Sequence, residues 1–364
     1  METAKSADFF LGANSPNGFS SYFTELNDSK LTDHCYVIKG CPGSGKSTMM
    51  KTIAETLSEQ ESLIENIHCS SDPDSLDGVI LHDSRTVIAD GTPPHVIEPK
   101  LPIAYEIIVS LYDSFDYPKV ASHRTEAANL DQKIKECHHR CCCYLGGAAT
   151  LLDDNFRTAA ECTDHAKVIR LAQKLAQKEL PDKKAGPGVE RKRLLSAITP
   201  KGILSYADSV TALCDRVYVI HDEHSAASRV LIGALRSFAL DSGYEVYTCY
   251  CPLAQRDKPE HLFIPELGLG FVTQNQYITF DIPPYRVIHS SRFTDKEKLK
   301  LRKQRMSFNK RAAKEILQEA VKALQAAKRL HDDLEQIYRL GIDFTQVEKI
   351  RDKVIAEMKG YYPA

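Results

Sequence analysis

The clearest chemistry in the chain lies in eight consecutive residues, Gly40-Cys41-Pro42-Gly43-Ser44-Gly45-Lys46-Ser47. Glycine, four residues, glycine, lysine and a hydroxyl residue, set between a β-rich run and a helical one, is the pattern of a phosphate-binding loop. Glycines permit backbone conformations and close approach that a Cβ would block, so successive N–H groups and a helix N-terminus can surround phosphate oxygens. Lys46 would neutralise the β and γ phosphates, Ser47 would offer its hydroxyl to Mg2+, and Thr48 stands behind it as a further polar group. The expected ligand is a nucleoside triphosphate, and the absence of an Asn-Lys-x-Asp guanine-reading motif favours ATP over GTP.

A magnesium site needs a carboxylate as well. Thr86-Val87-Ile88-Ala89-Asp90 is an apolar strand ending in aspartate, so Asp90 is expected to share the metal with Ser47. No glutamate follows Asp90 to orient an attacking water, which leaves Asp77, His95 and Glu98 as candidate bases. Lys46 and Asp90 are therefore the expected catalytic pair.

The elements that must position these groups occur twice. Tyr36-Val37-Ile38 returns 182 residues later as Tyr218-Val219-Ile220, and Cys69 returns as Cys251. Ala13, Pro16, Gly18 and Tyr22 return after 184 residues as Ala197, Pro200, Gly202 and Tyr206, and the helical tails match after 179. The predicted fold is α/β: two tandem P-loop NTPase-like three-layer cores with mainly parallel sheets, each followed by an α-helical hairpin. The expected divisions are a core at 1–120, a hairpin at 121–180, a Pro/Gly/Lys-rich linker at 181–190, a second core at 191–293 and a second hairpin at 294–364. Ala313, Leu317, Ala320, Leu324, Ala327, His331, Leu334 and Tyr338 form one apolar seam along the last long helix. Thr345 and Glu348 predict a capping box for the return helix.

The repeat is also an internal control. Opposite Gly40 to Ser47 the second copy reads Asp222-Glu223-His224-Ser225-Ala226-Ala227-Ser228-Arg229, with no glycine and no lysine. Two acidic groups at a phosphate position repel phosphate, and opposite Asp90 stands Thr273. The second half is thus expected to be a pseudo-copy that binds no nucleotide. Asp77, by contrast, maps onto another acid, Glu260.

Composition sets the outer limits. At 364 residues the chain exceeds the size at which one core usually stops growing, and 43% hydrophobic with 26% charged residues excludes collagen-like and disordered classes. With 47 Lys and Arg against 49 Asp and Glu, the formal charge of −2 gives no global field for nucleic acid or an anionic membrane. No stretch approaches the ~18 apolar residues of a membrane span and no leader pattern is visible, so a cytoplasmic protein with reduced thiols is expected. Cys137, His138, His139, Cys141, Cys142 and Cys143 invite a zinc reading, but the repeat equates Cys137, Cys141 and Cys142 with Ile316, Ala320 and Val321, which are core positions. The basic run from Lys296 to Lys314 reads as a solvated connector, which leaves nucleic acid an improbable partner.

With Phe10-Leu11-Gly12-Ala13-Asn14, the loop 40–47, His68-Cys69-Ser70-Ser71-Asp72-Pro73-Asp74 and Asp90-Gly91-Thr92-Pro93-Pro94-His95 in view, the chain resembles a family of bacterial tandem P-loop ATPases. The similarity covers nearly the whole length and implies ATP without naming a substrate. In that family the second half also carries a glycine- and lysine-containing loop, and this chain departs from it at Asp222 to Arg229. The reading is a Mg2+-dependent ATPase with a built-in pseudo-partner, in which Arg216, Arg229 or Arg256 would serve as a finger on the γ-phosphate. Two alternatives are a kinase with a small acceptor near residues 68–78 and a nucleotide-dependent switch that shows its hairpins to a protein partner.

Overall fold

The computed structural model describes residues 4–181, 186–254 and 258–362; of the expected linker 181–190, positions 182–185 lie outside the described residues, and its last two, Val189 and Glu190, already belong to the first strand of the second copy. In the first copy β1 (Lys5–Phe9) precedes a small hairpin of β2 (Gly12–Ser15) and β3 (Gly18–Ser21). Then come β4 (His34–Lys39), α1 (Lys46–Leu57), β5 (Leu63–Cys69), β6 (Asp72–Leu81), β7 (Thr86–Asp90) and β8 (Glu106–Ser110). Helices α2 (Tyr117–Ala121), α3 (Arg124–Ala160) and α4 (His165–Glu179) complete it.

The second copy repeats this order with β9 (Val189–Arg193), β10 (Ser196–Thr199), β11 (Gly202–Ser205), α5 (Asp208–Leu213), β12 (Arg216–His221) and α6 (Ser228–Asp241). It continues through β13 (Glu245–Tyr250), β14 (Pro259–Ile264), β15 (Leu269–Gln274), β16 (Arg286–His289), α7 (Lys296–Lys300), α8 (Lys303–Arg339) and α9 (Phe344–Lys359). Each copy builds a six-stranded, mostly parallel sheet, β1-β5-β6-β7-β4-β8 and β9-β13-β14-β15-β12-β16. Register repeats as well: Tyr36 pairs with Ile88, and their equivalents Tyr218 and Phe271 pair with each other. Among the described strands of these two sheets, only β6 and β14 run antiparallel to their neighbours.

The layers differ from the expected three. Along β4, Cys35 and Val37 face one cluster while Tyr36 and Ile38 face another; along β12, Val217 and Val219 alternate with Tyr218 and Ile220 in the same way. The odd-numbered residues of both strands meet in a single buried cluster, so the sheets pack on each other and share one core. The longer helices cover the outer faces, giving a helix–sheet–sheet–helix arrangement, while the short α5 contributes Val210 and Leu213 to the core between the sheets.

The helices do not fold back as hairpins on their own copy either. At 1.5 Å per residue the 37-residue α3 is about 55 Å long, which carries α4 away from the first core and onto the second. There Val168, Ala172 and Leu175 pack against Leu231, Leu235 and Ile288. Reciprocally, Val347, Val354 and Met358 of α9 pack against Met50, Ile53 and Leu57 of α1. The long helices α3 and α8 run antiparallel, Gly147 beside Ile316 and Asn155 beside Met306, around the small buried side chains Cys141, Ala148, Ala313 and Ala320. Cys137 and Cys141 are buried here, whereas Cys143 is exposed beside His139. From the seam, His331 turns out to be half-exposed and faces Glu335 instead of the core. The N-cap of α9 is Asp343, whose carboxylate accepts from Thr345 N–H, in place of the expected Thr345–Glu348 box.

Main-chain bonds between equivalent positions fix this exchange. Phe10 and its counterpart Leu194 donate N–H to each other's carbonyls at 2.9 Å. Asp116 N–H donates to Gly341 O and the counterpart Asp295 N–H to Cys162 O, both at 2.7 Å. The copies are therefore related by an approximate two-fold, as in a dimer within one chain. Between the sheets lies a buried charge network in which Arg193 Nε donates to Glu65 at 2.7 Å and Nη1 to Glu25 at 3.0 Å, while Tyr247 Oη donates to Glu65 at 2.9 Å. Burial alone would raise the Glu65 carboxyl, but Arg193 and His82 outweigh it and hold it well below the usual carboxylate range.

Arg193→Met leaves that carboxylate buried with its main partner gone and is expected to cost about 3–5 kcal/mol in urea unfolding at pH 7. Because the folded Glu65 pKa is depressed, the stability it contributes is present above the ordinary value of 4.5 and fades as pH falls below it, so the gap between variant and wild type should narrow at pH 3.

Candidate functional site

The loop 40–45 leaves β4 and enters α1 directly. Gly43 and Gly45 have φ of +70° and +86°, a left-handed backbone that side chains rarely adopt. A Cβ on Gly43 would also lie 3.3 Å from the carbonyl oxygen of Glu335, so α8 of the second copy approaches the loop as closely as glycine allows. Gly45, the N-cap of α1, supplies no side-chain acceptor, which leaves the first amides of that helix to an outside partner. Lys46 Nζ donates to the carbonyls of Gly40 and Cys41, both at 3.0 Å, and stands 3.5 Å from Asp90 Oδ2. Ser47 Oγ accepts from Leu76 N–H at 2.9 Å. Ser44 Oγ is buried without a hydrogen-bond partner among the described residues. Pro42 lines the same cavity, and Thr48 is exposed on the first turn of α1.

Asp90 ends β7, next to β4, where Ile38 is its register partner. Its Oδ1 accepts from Thr92 N–H at 2.9 Å and from Thr92 Oγ1 at 2.6 Å. Asp77, on β6 beside β7, and His95, on the loop after β7, converge on it: one ligand atom from each of Asp77, Asp90 and His95 lies within 4.8 Å of the others, and all three residues are buried. His95 stacks on Phe23, with ring centroids 4.2 Å apart. Burial pushes the Asp77 carboxyl up to about 8, with the Asp90 charge adding to it, and burial pushes the His95 imidazole down to about 4. Of the three candidate bases Glu98 is excluded from this group, since it is exposed and pairs with Lys39.

A cavity of about 1910 Å³ opens over the loop, floored by residues 40–48 and 69–77 and roofed by α3 and α8. Its walls carry Arg124, Lys328, His331 and Arg339. Neither of the two expected arginine fingers among the described residues lines this cavity. Arg216 is engaged by Glu179, Arg229 lies 5.0 Å over the Phe156 ring, and Arg256 falls outside the described residues. Instead Arg339, at the end of α8, has its Cγ 3.4 Å from where a Gly43 Cβ would be. Its counterpart after a shift of 179 is Ala160, and that difference between copies is the sequence signal that points to it.

The second loop keeps the shape and changes the content. Ser225, the counterpart of Gly43, holds a left-handed φ of +56° despite its Cβ. Asp222 Oδ2 accepts from the N–H groups of Ala227 and Ser228, both at 2.8 Å. The acid that the sequence suggested would repel an anion is itself the anion at the α6 N-terminus. Two such bonds to a charged acceptor contribute about 1.5–3 kcal/mol each, and an incoming anion would have to replace both. Glu260, the counterpart of Asp77, has its own cation, Lys258, at 3.0 Å.

In comparisons with known proteins, no family model, no curated protein and no solved structure matches this chain. Among the described residues no helix is long and apolar enough to cross a membrane.

The Asp77 environment sets a sign for pH. Between its ordinary 3.8 and about 8 the folded protein keeps a proton that the unfolded chain releases, so stability falls as pH rises through that window. Asp77→Asn is expected to melt higher than wild type at pH 9 and to lose most of that advantage at pH 4, read by thermal melts in chelator; equal differences at both pH values would refute the buried, proton-holding carboxyl.

Proposed function

We propose that the first copy binds a nucleoside triphosphate, ATP, at residues 40–48 with Mg2+ at Ser47 and Asp90, and hydrolyses it, while the second copy binds no nucleotide. The observation that carries this reading is the motif of Gly40, Gly45, Lys46 and Ser47 in a strand-to-helix loop with left-handed glycines and an uncapped helix start. The residues fit the ligand: Gly45 offers the α1 amides no side-chain acceptor, and among the described residues Lys46 is held by two carbonyls and a nearby carboxylate. Ser47 Oγ, although it accepts one bond, keeps a second lone pair for a cation.

In this reading the amides of residues 43–47 bind β and γ phosphate oxygens, and Lys46 exchanges its carbonyl partners for them. Bound Mg2+ supplies Lewis-acid charge to the phosphate oxygens. Asp77, which holds a proton near neutral pH, and neutral His95 lie beside Asp90, where either can hydrogen-bond an attacking water. From the other copy, Lys328 and Arg339 line the cavity, and Arg339, whose guanidinium stands 3.7 Å from Glu335, has its stem against Gly43. The kinase alternative is favoured by one observation: the cavity of about 1910 Å³ exceeds the roughly 300–1,000 Å³ of ordinary ligand pockets and leaves room beside residues 69–72 for an acceptor as well as the nucleotide.

Lys46→Ala is expected to weaken Mg·ATP binding at least tenfold and to abolish phosphate release, measured by calorimetry and a phosphate assay. Asp90→Asn should retain nucleotide binding in chelator and lose the gain from Mg2+. Unchanged binding in the lysine variant would reject the site, and formation of a phosphorylated acceptor instead of free phosphate would select the kinase.

A further inference from the structure

We propose that Asp77, Asp90 and His95 form a binding site for a divalent first-row transition metal ion, occupied without any nucleotide. This goes beyond the triphosphate reading, since it requires neither ATP nor Ser47.

Geometry comes first. One ligand atom from each of the three residues lies within 4.8 Å of the other two, and His95 Nε2 stands 3.8 Å from Asp77 Oδ1. Metal–ligand distances of about 2.0–2.2 Å place the donors of one ion up to about 4 Å apart, so a contraction of under about 1 Å closes the set. A second observation is independent of the carboxylates. The His95 side chain is 5% exposed, and neither Nδ1 nor Nε2 has a hydrogen-bond partner among the described residues. A buried imidazole without partners leaves two polar atoms unsatisfied, a cost that a bound ion at Nε2 would remove at one of them. Phe23 stacks on the ring and holds its edge towards the carboxylates.

The two copies differ at this point. Asp77 and Asp90 bring two carboxyl groups into one buried space, with Lys46 3.5 Å from Asp90. In the second copy the three positions are Glu260, Thr273 and Ile278, and the remaining acid is neutralised by Lys258. The residue at the Lys258 position in the first copy is Ser75, so the first copy has gained an imidazole and a carboxylate and has no lysine there. The acid retained in both copies thus has a lysine partner in one and, among the described residues, no lysine within ion-pair distance in the other.

The donor set selects the kind of ion. Two carboxylates and an imidazole suit Mn2+, Fe2+, Co2+ or Zn2+, whereas Mg2+ favours oxygen donors alone. Three protein ligands leave coordination positions open towards the cavity.

The test uses the full chain, stripped with chelator and free of nucleotide, with Mn2+ as the probe. Titration followed by electron paramagnetic resonance should show one Mn2+ bound per chain, and the pulsed spectrum should carry coupling to an imidazole 14N. Asp77→Asn and His95→Gln should each weaken Mn2+ at least tenfold, and His95→Gln should abolish the nitrogen coupling. No saturable Mn2+, bound Mn2+ without nitrogen coupling in the wild type, or unchanged affinity in a folded His95→Gln protein would each overturn the site. The wild-type spectrum decides the matter even if a variant fails to fold. Mg·ATP binding is measured in parallel: Mn2+ with nitrogen coupling in a chain that ignores ATP supports the metal site and rejects only the nucleotide reading. ATP binding without Mn2+–nitrogen coupling does the reverse.

Discussion

The pairing of each copy with the other governs this molecule. Phe10 and Leu194 bond each other through their backbones, and the segments leading into α9 and α4 add strand-like bonds to the opposite copy. Because α3 and α8 are too long to return to their own sheets, each copy's last helix completes the other's outer layer. The loop 40–47 is consequently approached by α8, whose Glu335, Arg339 and neighbouring polar residues come from the far half of the sequence. Whatever occupies that cavity is enclosed by both copies.

Symmetry of backbone with asymmetry of side chains is the second feature. Both loops place a left-handed residue at the same point, Gly43 and Ser225. One is followed by an uncapped helix, while the other has its amides taken by Asp222. The roofs differ to match: Lys328, His331, Glu335 and Arg339 over the first loop correspond to Ala149, Leu152, Phe156 and Ala160 over the second. A polar roof covers the open loop and a mostly apolar one covers the filled loop. An anion supplied from within the chain needs no further charge to hold it.

Much of this was legible in the sequence because it depends on local spacing. Strands β4, β5 and β7 and helix α1 fall where apolar runs and the glycine-rich loop put them, and the duplication reappears as repeated strand register. Strand β6 is not announced by its composition, since Asp72, Pro73, Asp74, Asp77 and Gly78 are residue types that strands disfavour, and it is held in the sheet by its neighbours. The exchange of helices was hidden for a different reason: periodicity states that α8 and α9 each bury a face, but not against which copy. Asp222 was read by its charge and not by its reach, so its bonds to the α6 amides became visible only once the backbone was in place. Asp77 is brought to Asp90 by the β6–β7 pairing, in which Gly78 opposes Ala89, and His95 by the loop after β7, where it stacks on Phe23; neither placement follows from local spacing.

The central claim is that two loops of one shape differ in being open or filled, so that a single triphosphate site exists in each chain. The direct measurement is the stoichiometry of a non-hydrolysable ATP analogue with Mg2+, by equilibrium dialysis at saturating ligand against an accurately determined protein concentration. One equivalent per chain is expected; two equivalents, or none at millimolar analogue, would contradict the account.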